Sequence, residues 1–236
     1  QRLIRAGLRR SHKLIAVSQA SAQRLRELLP TADIVLIPNG IKMQDFAPLP
    51  RTRNAFVRLL FVGGMGKGKG ERDLIRALPL IAARVPQLRV SLLGHGADSL
   101  QPLLDECGVR AQIEHLGPVP HAERAQYFRR ADLFVLPSYG EGMPMSVLEA
   151  MAAGLPVITT NVGGIPELIT HEVEGFLLVP GDVEALAERI VQLVNDAQLR
   201  ARMGQTSLVK AQQFDEPRVM ERLLNELRNE QPKKEH

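Results

Sequence analysis

Glu141-Gly142-Met143-Pro144-Met145-Ser146-Val147-Leu148-Glu149 joins two segments of unlike periodicity. Before it, Leu133-Phe134-Val135-Leu136 is a short continuous apolar run, the pattern of a strand buried on both faces. After it, Val147-Leu148-Glu149-Ala150-Met151-Ala152-Ala153 has helical composition and is stopped by Gly154, with Pro156 close behind. The chain therefore runs strand, loop, helix. One carboxylate lies in the loop and a second about one turn into the helix.

The same alternation extends in both directions. Strands are expected at 58–62, 89–93, 112–116, 133–136, 156–160 and 176–179, with helices near 71–84, 98–107, 121–130, 145–153 and 165–169 between them. Strands alternating with helices in this way call for an α/β fold, a Rossmann-like parallel sheet with helices on both faces. C-terminal helices follow near 182–195, 197–211 and 216–229, then a charged tail over Lys233–His236. Upstream, 14–17 and 32–37 read as strands, and Ser18 caps a helix that runs to Leu29. Pro38-Asn39-Gly40 is a turn. Residues 38–54, with Pro48, Pro50 and few periodic apolar positions, read as a linker.

A helix that starts at the carboxyl end of a parallel strand presents N–H groups and the positive end of its dipole, which suits a phosphate. Glu141 and Glu149 would flank that site, and carboxylates beside a phosphate accept strong hydrogen bonds from neutral hydroxyls. Such a pair points to a sugar or ribose on each side of the phosphate. The alternative is that Glu141 is a solvated loop residue and Glu149 an exposed helix residue.

Gly63-Gly64-Met65-Gly66-Lys67-Gly68-Lys69-Gly70 follows one strand and precedes a helix. It approaches the phosphate loop G-x-x-x-x-G-K-[ST], but Gly70 replaces the hydroxyl residue, and it fails G-x-G-x-x-G. Its glycines would let backbone approach a ligand, and Lys67 or Lys69 would offer a charge to a phosphate. A flexible basic loop is the alternative. Ligands in such sheets bind outside the carboxyl ends of the strands. That rule puts the glycine loop, Gly94-His95-Gly96, Gly117-Pro118-Val119, residues 141–149 and Asn161-Val162-Gly163-Gly164 on one rim.

The chain has 236 residues, 44% of them hydrophobic, and a net charge of +4. That is enough for one large α/β domain, or one domain and part of another. The single cysteine, Cys107, excludes an internal disulfide, and the histidines are scattered without metal-ligand spacing. No apolar run approaches the ~18 residues of a membrane span. The first residues lack a signal-peptide pattern, so a cytoplasmic setting is expected. The basic balance suits anionic ligands. Aromatics at 4% and the lack of tryptophan leave no stacking platform, and no nucleic-acid partner is expected. Residues 1–13 mix Arg2, Arg5, Arg9, Arg10 and Lys13 with Leu3, Ile4 and Leu8. A peripheral membrane contact would use such a pattern; the solvated face of an ordinary helix is the other reading.

With these residues assembled, the chain resembles the C-terminal half of a retaining glycosyltransferase of family four, whose fold is GT-B. The matching stretches are Ile37-Pro38-Asn39-Gly40-Ile41, Phe61-Val62-Gly63-Gly64 with Lys69-Gly70, and Leu116-Gly117-Pro118-Val119. Glu141-Gly142-Met143-Pro144 leading to residues 148–158, and Asn161-Val162-Gly163-Gly164-Ile165-Pro166-Glu167, complete the set. They run in order from residue 37 to about 180.

The resemblance implies a nucleotide-diphosphate sugar donor, UDP- or GDP-linked. Glu141 would be the catalytic-site carboxylate that holds donor-sugar hydroxyls, and Glu149 would hold the ribose hydroxyls. Lys69 would neutralise the diphosphate together with main-chain N–H groups around Met145 and Ser146. Gly117 and Val119 would border the base, and Gly63, Gly64, Gly142 and Met143 complete the donor-binding set. No cofactor and no metal are implied. Three departures stand out: Gly64 where the family usually has an arginine, Pro144 where many members have glycine, and Lys42 in place of an acidic residue.

The resemblance also divides the chain. Residues 1–37 are expected as a remnant of an N-terminal acceptor domain and 38–54 as the interdomain linker. Residues 55–215 form the donor-binding domain, and 216–236 a crossover helix and tail. A glycan or lipid-linked acceptor would bind the missing domain, so these residues are expected to bind nucleotide without transferring sugar. A non-catalytic nucleotide-binding or interaction module of the same fold is the alternative, and a phosphate-loop ATPase a more distant one.

Overall fold

The computed structural model describes residues 13–49, 55–66 and 68–228. β1 (Leu14–Ala16), α1 (Gln19–Leu28) and β2 (Ile34–Leu36) make a small βαβ unit whose strands pair in parallel. Ser18 is the N-cap of α1, its Oγ accepting from Ser21 N–H at 3.1 Å. The basic segment 1–12 and the tail 233–236 lie outside the described residues.

The stretch read as a linker is docked. Residues 43–46 wind into α2 (Met43–Phe46), which buries Phe46 edge-on against Phe128 with ring centroids 5.4 Å apart. Asn39 Nδ2 donates to Met143 O at 2.8 Å. Ile41 N–H donates to Phe214 O at 2.8 Å, and Ile41 O accepts from Glu216 N–H at 3.0 Å. Ile41 and Phe46 are too far apart in sequence to produce a period, yet each fills a place in the core. Residues 50–54 of that stretch are not among those described.

From residue 57 the alternation is as expected. β3 (Val57–Val62), β4 (Leu88–Leu93), β5 (Ile113–Gly117), β6 (Leu133–Leu136), β7 (Val157–Thr160) and β8 (Gly175–Leu178) form one six-stranded sheet in the order β5-β4-β3-β6-β7-β8. Every pairing is parallel. Both faces are covered, which is why all four residues of β6 and all four of β7 are buried. The connecting helices are α3 (Glu71–Ala82), α4 (Gln101–Glu106), α5 (His121–Arg130), α6 (Met145–Ala152) and α7 (Ile165–Leu168).

α4 is shorter than expected. Residues 97–100 form a 3₁₀ turn, and Pro102 stands near the helix start because it has no N–H to give to Asp98 O. The chain ends with α8 (Val183–Asn195), α9 (Ala197–Ala211) and α10 (Glu216–Arg228). α3 packs on α8, and α9 on α6. α10 returns to the first unit: Glu226 pairs with Lys13 at 3.4 Å, and Arg222 donates to Leu36 O at 3.3 Å. Among the described residues no helix is long and apolar enough to cross a membrane.

The sheet has its topological switch point between β3 and β6, where the order reverses direction. The docked role of residues 38–49 carries a test. Phe46→Ala should lower unfolding stability by about 3 kcal/mol, as for other buried aromatic truncations. A loss below ~1 kcal/mol in chemical denaturation would contradict the docking of Phe46.

Candidate functional site

A cleft of about 450 Å³ opens at the carboxyl ends of β3 and β6. Gly63, Gly64 and Lys69 line it from the glycine loop, His95 from the β4 loop, and Pro118 and Val119 from the β5 loop. Glu141, Met143, Pro144, Met145 and Ser146 close it from the β6–α6 connection. Four of the five expected rim loops thus meet in one cavity. The fifth, residues 161–164, supports the site from behind: Gly164 N–H donates to Glu141 O at 3.3 Å. Gly117 and Gly142 do not line the cleft. Gly117 O accepts from Gly94 N–H at 3.0 Å, and a Cβ on Gly142 would meet Val17 at 3.6 Å.

The glycine loop is held by chain-on-chain contacts. At Gly70, the N-cap of α3, φ is +76° and a Cβ would fall 2.0 Å from Pro137 O. That glycine serves the approach of backbone to backbone, whereas approach to a ligand had been expected. Gly66 N–H donates to Glu71 Oε1 at 2.7 Å, and Tyr139 N–H to Gly68 O at 2.9 Å. Tyr139 Oη donates to Asp73 Oδ2 at 2.6 Å, a bond that raises the phenol pKa. Lys67 lies outside the described residues.

This bracing aims Lys69 across the cleft. Its Nζ stands 2.7 and 2.9 Å from the two oxygens of Glu141. Ser138 Oγ donates to Glu141 Oε1 at 2.8 Å. Only 7% of the Glu141 side chain is exposed, and these donors satisfy the buried carboxylate oxygens. α6 starts at Pro144 with no side chain capping it, and Met145 and Ser146 occupy its first turn at the cleft wall. One cation, one carboxylate and a helix N-terminus therefore face the same volume. Such a set can hold an anion and a hydroxyl-bearing group side by side.

Glu149 is placed differently. It is 6% exposed and lines an adjoining cavity of about 390 Å³ bounded by Gly40–Phe46, α5, α6 and Glu216. Its Oε2 accepts a short bond from Arg124 Nη2. Burial pushes the Glu149 carboxyl pKa up, and the Arg124 guanidinium pulls against that shift. Arg124 lines both cavities. Sequence reading missed it, because nothing in His121-Ala122-Glu123-Arg124-Ala125-Gln126-Tyr127-Phe128-Arg129-Arg130 sets one arginine apart. Ser138 and Asn39 were also missed: Ser138 reaches Glu141 three residues on, and Asn39 acts through a contact 104 residues away. Among the described residues no group of three or more His, Cys, Asp or Glu side chains could hold a metal ion.

The fold and the cleft together define an α/β protein with a cleft at its switch point lined by a cation, a carboxylate and a helix N-terminus. The family model described as "Glycosyl transferases group 1" matches residues 50–208, and the chain belongs to that family. The D-inositol 3-phosphate glycosyltransferase of Paenarthrobacter aurescens (strain TC1) is 31% identical over 195 residues, which is 77% of this chain and 48% of that protein. The glycogen synthase of Mycobacterium tuberculosis (strain H37Rv) is 33% identical over 213 residues, 85% of this chain and 50% of that one. The chain thus spans about half the length of the curated relatives it matches.

Among solved structures, the sucrose-phosphate synthase of Thermosynechococcus elongatus superposes with a TM-score of 0.88 at 26% identity, over 98% of this chain and 62% of that one. Anabaena HepE in complex with UDP-glucose gives 0.83 at 23% identity, over 94% and 65%. The GT-B resemblance holds in both family and fold.

Two outcomes follow from the packing. A Cβ on Gly163 would fall 1.7 Å from Glu141 O, at φ +53°. Gly163→Ala should therefore destabilise the protein by about 2–4 kcal/mol; a thermal midpoint equal to wild type would refute that packing. The second outcome concerns pH. The folded pKa of Glu149 is raised, so its proton is held more tightly in the folded chain than in the unfolded one. Its contribution favours folding below the unfolded value of about 4.3 and is lost as pH rises through the folded value. Relative to Glu149→Gln, wild type should be more stable at acidic than at neutral pH in paired denaturation curves. The opposite trend would mean that Arg124 outweighs desolvation.

Proposed function

We propose that this chain is the donor-binding portion of a retaining glycosyltransferase that takes its sugar from a nucleotide-diphosphate sugar, UDP- or GDP-linked. The observation that carries the reading is the convergence of Lys69, Glu141 and the N-terminus of α6 on one cleft. Lys69 and the first-turn N–H groups of α6 would take the diphosphate. Glu141 would take donor-sugar hydroxyls, its orientation held by Lys69 and Ser138. Val119 and Pro118 would border the base, and Glu149 would accept from the ribose. HepE, with its UDP-glucose, supports a uridine donor.

In the transfer, the bond between the anomeric carbon and the diphosphate oxygen breaks. A bond from that carbon to the acceptor oxygen forms on the same face, and the acceptor proton passes to the leaving diphosphate. The contribution of this chain is to stabilise charge on the leaving group, with donors fixed in place before the reaction. Lys69 and the α6 N–H groups supply that charge stabilisation in our reading without a metal. The acceptor, a glycan or a lipid-linked molecule, would bind residues outside this half. We therefore expect nucleotide binding without turnover by these 236 residues.

Calorimetry with UDP, GDP, ADP and ATP, with and without magnesium, tests the reading. One diphosphate should bind without metal. Lys69→Ala should weaken it by about 1–3 kcal/mol, as for losing a charged hydrogen-bond partner, and leave the parent nucleoside unaffected. Equal losses for nucleoside and diphosphate would remove Lys69 from the phosphate site. Sugar transfer by these residues alone would overturn the division of labour.

A further inference from the structure

We propose that Arg124 is a positioning residue of the donor subsite, one that holds one oxygen of Glu149 so that the other is presented to the ribose hydroxyls. The inference rests on the nucleotide reading above. Arg124 Nη2 donates to Glu149 Oε2, and among the described residues Glu149 Oε1 accepts no hydrogen bond. A carboxylate engaged at one oxygen has its plane fixed, with the second oxygen left to accept from a neutral hydroxyl. Arg124 also forms part of the cleft wall beside Val119, Met145 and Ser146. Its guanidinium therefore stands between the cleft and the chamber that Glu149 lines.

Pairing with Glu149 uses only one end of the Arg124 guanidinium. Its Nε is buried and has no hydrogen-bond partner, a condition that needs an explanation wherever it occurs. It is the fourth residue of α5, near the end where the helix dipole disfavours a cation. Pairing with the buried Glu149 is the structural gain of Arg124, and the orphaned Nε and the dipole cost are what that pair leaves over, a local inconsistency of the kind found at functional positions. The other charged groups around the chamber are Lys42, Asp45 and Glu216. Lys42 is directed to Glu216 at 3.8 Å, which leaves Arg124 as the cation paired with Glu149 among the described residues. Burial already raises the Glu149 pKa, and Arg124 is what opposes it. Without Arg124 the carboxyl would be harder to ionise as well as free to turn.

The test compares UDP and GDP, each with its 2′,3′-dideoxy analogue, for binding to wild type, Arg124→Met, Arg124→Lys and Glu149→Gln. Thermal melting confirms that each variant is folded. Wild type should prefer the ribose form by about ten-fold or more, the effect of one hydrogen bond to a charged group. Arg124→Met and Glu149→Gln should each bring the preference to about two-fold or less. Arg124→Lys should restore part of it. On acidification Arg124→Met should lose its residual preference at a higher pH than wild type does. An unchanged preference in Arg124→Met would overturn the proposal. So would tighter ribonucleotide binding, since Arg124 would then be obstructing the subsite. A wild type that binds none of the four ligands would refute the nucleotide reading itself, and this inference with it.

Discussion

The loops at the carboxyl edge of the sheet are packed backbone against backbone, and the site depends on that contact. At Gly94 a Cβ would fall 1.8 Å from Gly63 O, and at Gly163 one would fall 1.7 Å from Glu141 O. Neither position can carry a side chain without moving the neighbouring loop. Each loop is thereby located by the next one, from the β4 loop through the glycine loop and from the β7 loop to the 141–142 turn. The parallel sheet brings five loop ends to one rim. Close approach of their main chains turns that rim into a rigid wall.

Two ion pairs are set in that wall. Lys69 with Glu141, and Arg124 with Glu149, each join a cation less than one third exposed to a carboxylate less than one tenth exposed. A carboxylate so deeply placed is costly unless donors surround it. Pairs of this kind are a poor way to stabilise a fold and a good way to fix orientation. Held in this way, each carboxylate is an oriented hydrogen-bond acceptor, and Lys69 is a cation already at the cleft wall. Charge arranged before a ligand arrives needs no reorganisation at the moment of reaction.

Much of the architecture was legible in the sequence. The six strands of the main sheet are short apolar runs punctuated by glycine, a signal that survives because both faces of the sheet are covered. The β6–α6 junction and the rim loops followed from it, as did Lys69, Glu141 and Ser146 on one cavity. The pairing of these groups was not legible. Lys69 and Glu141 are 72 residues apart and had been assigned to different parts of the ligand, yet they touch. Arg124 and Glu149 belong to different helices, 25 residues apart, and no local period connects them. α2 was hidden for a related reason: a four-residue turn carrying one buried Phe46 has no periodicity to read. Short-range pattern gives elements and their order, and side-chain partners appear only once the sheet has brought distant segments together.

The most direct measurement is a crystal structure of this protein with the nucleoside diphosphate that calorimetry selects. The expected result places the diphosphate within hydrogen-bond distance of Lys69 Nζ and of the main-chain N–H of Ser146, with the ribose toward Glu149. Binding in a second cavity, about 510 Å³ and lined by Arg58, Glu114 and Tyr127, would contradict it. So would a diphosphate in the expected cleft that leaves Lys69 on Glu141 alone.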